Sequence, residues 1–351
     1  VLCLVGIFYI RGHLYAAGRD SWLACLTATA LLCAAAWWFE TLARRWPEKS
    51  LFGILHAVLP PWAARSLSVL ALLFALFAAV SVAEGFSVFT QSTILTDTPR
   101  SWIAALLLAP ALLLVKQGRR VLVSWAMLLF PLLAGLIAVL TAFSVTRFEW
   151  SNLLPVLSDP RGFLDGVFRC LSASMSMLLF LSSLFRRAER RGRRSPFLLS
   201  ALVSGGILSA VMLVNLLVLS APVSDSIHYV TYYAASVIGI GEFFQHIEIL
   251  PAFIYQCTCV FAEYAILLFL CEGLESLFSL PDARVVAAPA ALLVYALHAC
   301  LRYSSSGMLT DAAGVRYAVF FPIFLLLPLA ASLPGRRIRR ARRAFRTDPR
   351  K

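Results

Sequence analysis

About ten stretches of this chain are apolar over lengths that suit a membrane-crossing helix: 1–17, 22–43, 65–90, 102–116, 121–144, 165–185, 196–220, 249–279, 285–302 and 316–334. A hydrocarbon core of roughly 30 Å is crossed by about 20 helical residues at about 1.5 Å each, and several of these runs are at the short end of that range. Lipid offers no hydrogen-bond partner to an exposed backbone, so such runs must close their own N–H and C=O groups. The expectation is therefore an all-α integral membrane protein with about ten transmembrane helices. Composition agrees, with 60% hydrophobic and 14% charged residues in a chain of 351. The sequence opens on Val1 inside an apolar run, consistent with an alternative start or a missing N-terminal piece. That run has neither a preceding basic region nor a small-residue cleavage pattern, so it reads as a span rather than a signal peptide.

The net charge of +13 does not point to nucleic acid, because much of it sits in two blocks that follow apolar runs, 186–194 (RRAERRGRR) and 336–346 (RRIRRARRAFR). Even-numbered loops carry Arg44, Arg45 and Lys49; Lys116, Arg119 and Arg120; the 186–194 block; and Arg284. Odd-numbered loops carry fewer cations: Arg19; Arg100; Arg147 and Arg161; and Arg302. A basic excess marks the cytoplasmic side, which puts the even loops and both termini in the cytoplasm. The organisation expected is one membrane domain over 1–335 and a basic cytoplasmic tail over 336–351, with the lipid bilayer as the first partner.

Three loops are more than connectors. Residues 46–64 read as an amphipathic surface helix ended by Pro60 and Pro61. Residues 145–164 are apolar enough to lie at the membrane interface, and 222–248 is long for a bundle connection. All eight cysteines (Cys3, Cys25, Cys33, Cys170, Cys257, Cys259, Cys271, Cys300) fall in apolar runs. They are expected as small packing residues rather than a disulfide framework or metal site. The five histidines lack metal-ligand spacing, and no nucleotide-binding, hydrolase or zinc-protease motif is present. Neither an enzyme nor a cofactor is expected.

Ionisable groups inside the runs are the functional candidates, since burying a charge there costs roughly 2.5–3.5 kcal/mol on insertion scales. Glu263, about mid-depth in its run, is either a hydrogen-bonded structural carboxyl or a ligand, coupling or gating group. Glu84 lies nearer the outer end of the third run. Arg169 either snorkels to the surface or pairs with Glu84 or a substrate carboxylate. Glu272 and Glu275 read as solvated. Glu242 and His246 are four apart and can share one face of a surface helix, as a solvated face or a gating contact. Gly205 and Gly206 read as close helix packing.

Several segments resemble the spore germination receptor B subunits, or germination permeases, of the amino acid–polyamine–organocation superfamily. Ile240-Gly241-Glu242-Phe243 with Ile247-Glu248 resembles that family's entry to its eighth helix. Ala17-Gly18-Arg19-Asp20-Ser21-Trp22, Arg45-Trp46-Pro47-Glu48-Lys49-Ser50-Leu51, Phe86-Ser87, Thr96-Asp97-Thr98-Pro99, Leu129-Phe130-Pro131-Leu132 and Asn152-Leu153-Leu154-Pro155-Val156-Leu157 match in order. The resemblance implies two inverted five-helix repeats, about 1–145 and 165–335, with interrupted helices 1 and 6. It also implies a spore inner-membrane location and A- and C-type receptor subunits as partners. A nutrient such as an amino acid would bind near the midplane, with Gly6, Ile7, Ser172, Ser174, Met175 and Ser176 near the helix breaks and Glu84 and Glu263 facing them. The charge set departs from the family's. Ser174-Met175-Ser176-Met177 stands where the family has a Pro-Phe-Gly-Glu stretch, Glu84 where an Arg is frequent, and Glu263 where many members have Lys. The function implied is germinant sensing; the alternative is a proton-coupled amino-acid transporter working through Glu263.

Overall fold

The computed structural model describes residues 17–46, 49–157, 159–183, 196–227, 229–237, 247–280, 282–301 and 329. These residues form α1 (Ser21–Arg45), α2 (Leu51–Val58), α3 (Pro61–Thr93), α4 (Arg100–Gln117), α5 (Arg119–Ser144) and α6 (Pro160–Leu181). There follow α7 (Pro196–Leu219), α8 (Ala221–Ser226), α9 (Val230–Val237), α10 (Ile249–Phe278) and α11 (Ala287–Leu301). Among the described residues, eight stretches are long and apolar enough to cross a membrane, and they coincide with the eight middle runs read from sequence. Apart from Ala17 and Leu329, the first and tenth runs lie outside the described residues, as does the basic tail.

Local chemistry sets the helix ends. Pro61 and Pro160 open α3 and α6, where a missing N–H costs nothing. Asp159 caps α6 by accepting from Arg161 N at 3.1 Å, and Ser279 ends α10 in the left-handed region at φ 53°. The long α10 is the central post. Of its most apolar window 78% is buried, and it packs against α3, α4, α6 and α11, with α2 and α9 touching it near its ends. On one flank α1 packs against α6 and α7. Helix α5 is the least buried span and presents Trp125, Met127, Leu128 and Leu132 outward, as a lipid-facing helix does.

Two expectations are corrected. The helix within the 46–64 segment is set into the bundle rather than laid on its surface. Leu51, Phe52, Ile54, Leu55 and Val58 of α2 are all buried, and the Phe52 ring sits 4.9 Å from that of Phe269. Ser50 starts α2 by accepting from Gly53 N at 3.2 Å, and the helix stops before Pro60 as expected. The short helix thus wedges into the bundle end. His56 on its far side has its pKa held below the usual range by burial, aided by the charge of Arg65. Glu272 is likewise not solvated: it is 3% exposed, beside Gly273, whose own surroundings are Leu72 of α3 and Phe52 of α2.

The glycine pair in α7 divides sharply. A Cβ on Gly205 would stand 2.2 Å from Thr29 Cγ2, whereas one on Gly206 would meet nothing within 4 Å. Gly205→Ala should therefore lose about 1–3 kcal/mol to overpacking. Gly206→Ala should remain at or above wild-type stability. Thermal unfolding of the two purified variants checks this contrast; equal midpoints would refute the α1–α7 contact.

Candidate functional site

Helices α3 and α10 run antiparallel, in a register set by two contacts. Near one end Gln256 Nε2 donates to Thr90 Oγ1 at 3.1 Å; near the other, Gly273 lies against Leu72. An aromatic layer crosses the bundle on the Gly273 side. Phe74 of α3 stacks on Phe180 of α6 at 5.5 Å, Phe180 meets Phe269 of α10 at 5.4 Å, and Phe269 meets Phe52. Six residues away from that layer, about 9 Å at the helical rise, lie Ser174 on α6 and Glu263 on α10. The α3 register puts Val80 to Glu84 at the same level.

A second aromatic cluster closes the opposite side. The Phe89 ring is met edge-on by Tyr229 at 4.8 Å, Tyr232 at 5.6 Å and Tyr255 at 4.7 Å. Such T-shaped contacts favour a defined arrangement over a fluid one. Helix α9, which carries Tyr232, is tied to α7 by Asn215 Nδ2 donating to Thr231 Oγ1 at 2.9 Å. Burial, with the nearby Glu248 charge, raises the Tyr232 phenol pKa above its ordinary value. The mid-level polar residues therefore lie between two aromatic layers.

Glu263 is fully buried, and neither carboxyl oxygen has a hydrogen-bond partner among the described residues. It follows Tyr255 and Cys259 at four-residue intervals, on the α10 face they turn to Ala83 and Phe86 of α3 and Ile103 and Leu107 of α4. Phe269, which meets α6, lies about 120° around α10 from Glu263. Glu263 and Ser174 thus share a level but not a face. Ser172 is fully buried, Ser174 and Met175 nearly so, and Ser176 is half-buried.

The expected break in the sixth span is absent, since α6 is one continuous helix from Pro160 to Leu181. No Gly or Pro falls between Gly166 and the end of α6 to interrupt it. The Ser172 and Ser176 hydroxyls bond back to Phe168 O at 2.7 Å and Ala173 O at 2.6 Å, so they satisfy themselves within the helix. Gly6, Ile7, Glu242 and His246 lie outside the described residues.

Glu84 has partners other than Arg169. Its Oε1 lies 3.4 Å from Arg100 Nη1 and its Oε2 2.9 Å from His298 Nε2. The imidazole is within ion-pair range, but its N–H directions are off line for a hydrogen bond. Arg100 Nε donates to Gln91 Oε1 at 2.7 Å, and Gln91 Nε2 donates to Thr98 O at 3.0 Å, which ties the α3–α4 turn to the same carboxylate. One buried acid thus joins α3, α4 and α11. Arg169 instead pairs with Asp165, one turn earlier on α6, at 2.8 Å. Sequence reasoning passed over Arg100 and His298, although each is an ionisable group in or beside an apolar run.

Two of the matching motifs meet in space. Asp20 Oδ1 accepts from Leu157 N at 2.9 Å, and Arg19 donates to Leu154 O. The same loop is held to α7 where Glu149 N and Asn152 Nδ2 share Leu217 O, at 3.0 and 3.3 Å. Helix α1 and the 145–157 loop are therefore one unit, although their residues are far apart in sequence.

These features define an all-α, multi-pass membrane protein of transporter-like build with a closed polar level between aromatic layers. Among known proteins, a family model described as "Spore germination protein" matches residues 2–305. The chain is also 21% identical to Spore germination protein KB of Bacillus subtilis (strain 168) over 328 residues, spanning 89% of this chain and 87% of that protein. The chain belongs to the spore germination protein (spore permease) family.

Removing the Glu84 carboxylate strands the guanidinium and the imidazole that meet it. Glu84→Leu should cost about 3–5 kcal/mol in thermal unfolding. Arg169→Gln, whose partner Asp165 is nearly half exposed, should cost less than about 1 kcal/mol. Equal losses would contradict the pairing described.

Proposed function

We propose that this protein is the nutrient-sensing membrane subunit of a spore germination receptor, binding a small amino-acid-like ligand near the bilayer midplane. The observation that carries this reading is Glu263, a carboxyl buried at mid-depth without a hydrogen-bond partner among the described residues. A buried acid with no such partner is a standing demand for a cation or a proton. An amino acid's ammonium group answers that demand. Membership of the germination family, and similarity to a protein named for germination, supply the biological setting.

In this reading the ligand lies beside α6 at the level of Ser174 and Met175. Glu263 is turned away from α6, so its approach to the ligand requires α10 to rotate or α3 to shift. The ligand therefore favours one arrangement of α3, α6 and α10 over another, and that shift in population is the signal. Partner subunits of the A and C types would read it at the surface of the bundle, in the inner membrane of the spore. Both termini, like the basic loops, face the cytoplasm on this account.

Glu263 also suits a second reading, in which it carries a proton during amino-acid transport. Two experiments separate these. Calorimetry with proteinogenic amino acids supplied one at a time to the purified protein should give binding that weakens at least tenfold in Glu263→Gln and in Ser174→Leu. Unchanged affinity in both variants would refute the site. Uptake of the bound amino acid into proteoliposomes, driven by a pH gradient and lost in Glu263→Gln, would establish the transporter in place of the sensor.

A further inference from the structure

His298 of α11 has no part in the ligand reading, yet it is an ionisable ring enclosed in a membrane span. It is 1% exposed, and neither ring nitrogen has a hydrogen-bond partner among the described residues. Its Nε2 stands 2.9 Å from Glu84 Oε2, nearer than Arg100 Nη1 stands to Oε1 at 3.4 Å. The guanidinium also donates through Nε to Gln91 Oε1 at 2.7 Å, so it is shared between a carboxylate and an amide. A proton on the ring would give the imidazole a charge partner and Glu84 a second cation. Coulomb attraction does not need the aligned N–H that a hydrogen bond does. The cluster also has an opening: the Arg100 side chain is 28% exposed at the α3–α4 turn, whereas that of His298 is 0% exposed.

We propose that His298 and Glu84 form a proton-binding site, separate from Glu263, that latches α11 to α3. A proton taken up on the imidazole turns the 2.9 Å contact into an ion pair enclosed by protein, where screening is weak. The neutral ring gives up that attraction, and the carboxylate keeps its Arg100 contact. Groups on each neighbouring element set the balance. Helix α3 supplies Glu84 and α4 supplies Arg100, while α10 turns Tyr255, Cys259 and Glu263 toward α3 and α4. On α11 itself Tyr295 lies nearly one turn away. The remaining neighbour, the turn Ala283–Val286, carries Arg284 on the order of 20 Å along the chain from His298, outside this cluster. The latched arrangement holds the proton more tightly than the parted one, so acid favours latching. The latch is lost as pH rises through the ring's charge transition. By the bias of the basic loops, the α3–α4 turn through which the cluster opens faces away from the cytoplasm. The site stands whether or not Glu263 binds an ammonium group.

The test uses the full-length protein in lipid nanodiscs, isotope-labelled at its histidines. Magnetic resonance of the ring nitrogens reads their charge across about pH 5 to 8, the range in which imidazole ordinarily titrates. The His298 signal is the one missing from His298→Gln. That ring should be charged at the acid end and neutral at the alkaline end. Removing the carboxylate charge in Glu84→Gln should weaken its proton binding about tenfold or more, and removing the competing cation in Arg100→Gln should strengthen it severalfold. Amide exchange over α11, corrected for its intrinsic pH dependence, should be slower in acid in the wild type and not in His298→Gln. A ring that keeps one charge state throughout would overturn the proposal. So would shifts of one sign, or none, in the two charge variants, or an acid effect on α11 that survives in His298→Gln. Should Glu84→Gln not fold, the wild-type titration and Arg100→Gln still decide. Amino-acid binding enters no arm of the experiment, so these outcomes leave the ligand reading untouched.

Discussion

Enclosure of α10 is the constraint on which the remaining structure depends. A helix wrapped by α3, α4, α6 and α11, with α2 closing one end, can bury side chains on every face, and every residue from Phe261 to Gly273 is buried. Apolar residues gain from this through close packing and lost contact with water or lipid headgroups. Glu263 does not gain, since it surrenders hydration and recovers no hydrogen bond among the described residues. A fold that tolerates such a group pays in stability for something other than stability.

Two of the buried acids, Glu84 and Glu263, illustrate opposite solutions. Glu84 is met by a guanidinium and an imidazole from two further helices, so its burial becomes a tie between α3, α4 and α11. Glu263, on the neighbouring helix at nearly the same level, has no such tie among the described residues. Glu84 and Glu263 were both candidates for the ligand site, and their surroundings differ. The first reads as architecture; the second is the group with unspent interaction.

Much of the fold was legible in the sequence because lipid imposes a length and a polarity rule that few residues break. All eight spans seen here match apolar runs. Loop chemistry was legible in part: Pro60 and Pro61 marked the end of α2, but its amphipathic pattern could not say whether the apolar face met lipid or protein. The motifs around Asp20 and Leu157 were visible as words, while their contact needed three dimensions. The candidate site was the least legible portion. Ser172, Ser174 and Ser176 were placed at a helix break by resemblance, yet without Gly or Pro the segment remains helical, and the Ser172 and Ser176 hydroxyls bond to their own backbone. Pairing of Glu84 with His298 joins helices more than 200 residues apart in sequence, a distance over which no periodicity carries information.

A ligand held between the two aromatic layers, at the level shared by Ser174 and Glu263, is the central claim. An electron cryomicroscopy map of the protein in lipid nanodiscs, with a calorimetrically identified amino acid bound, tests it most directly. The account predicts ligand density beside α6, bounded by Phe180 and Phe269 on one side and Phe89 and Tyr255 on the other, with the Glu263 carboxyl turned toward it. Density outside those layers, or bound ligand with Glu263 still facing Ala83 and Leu107, would contradict it.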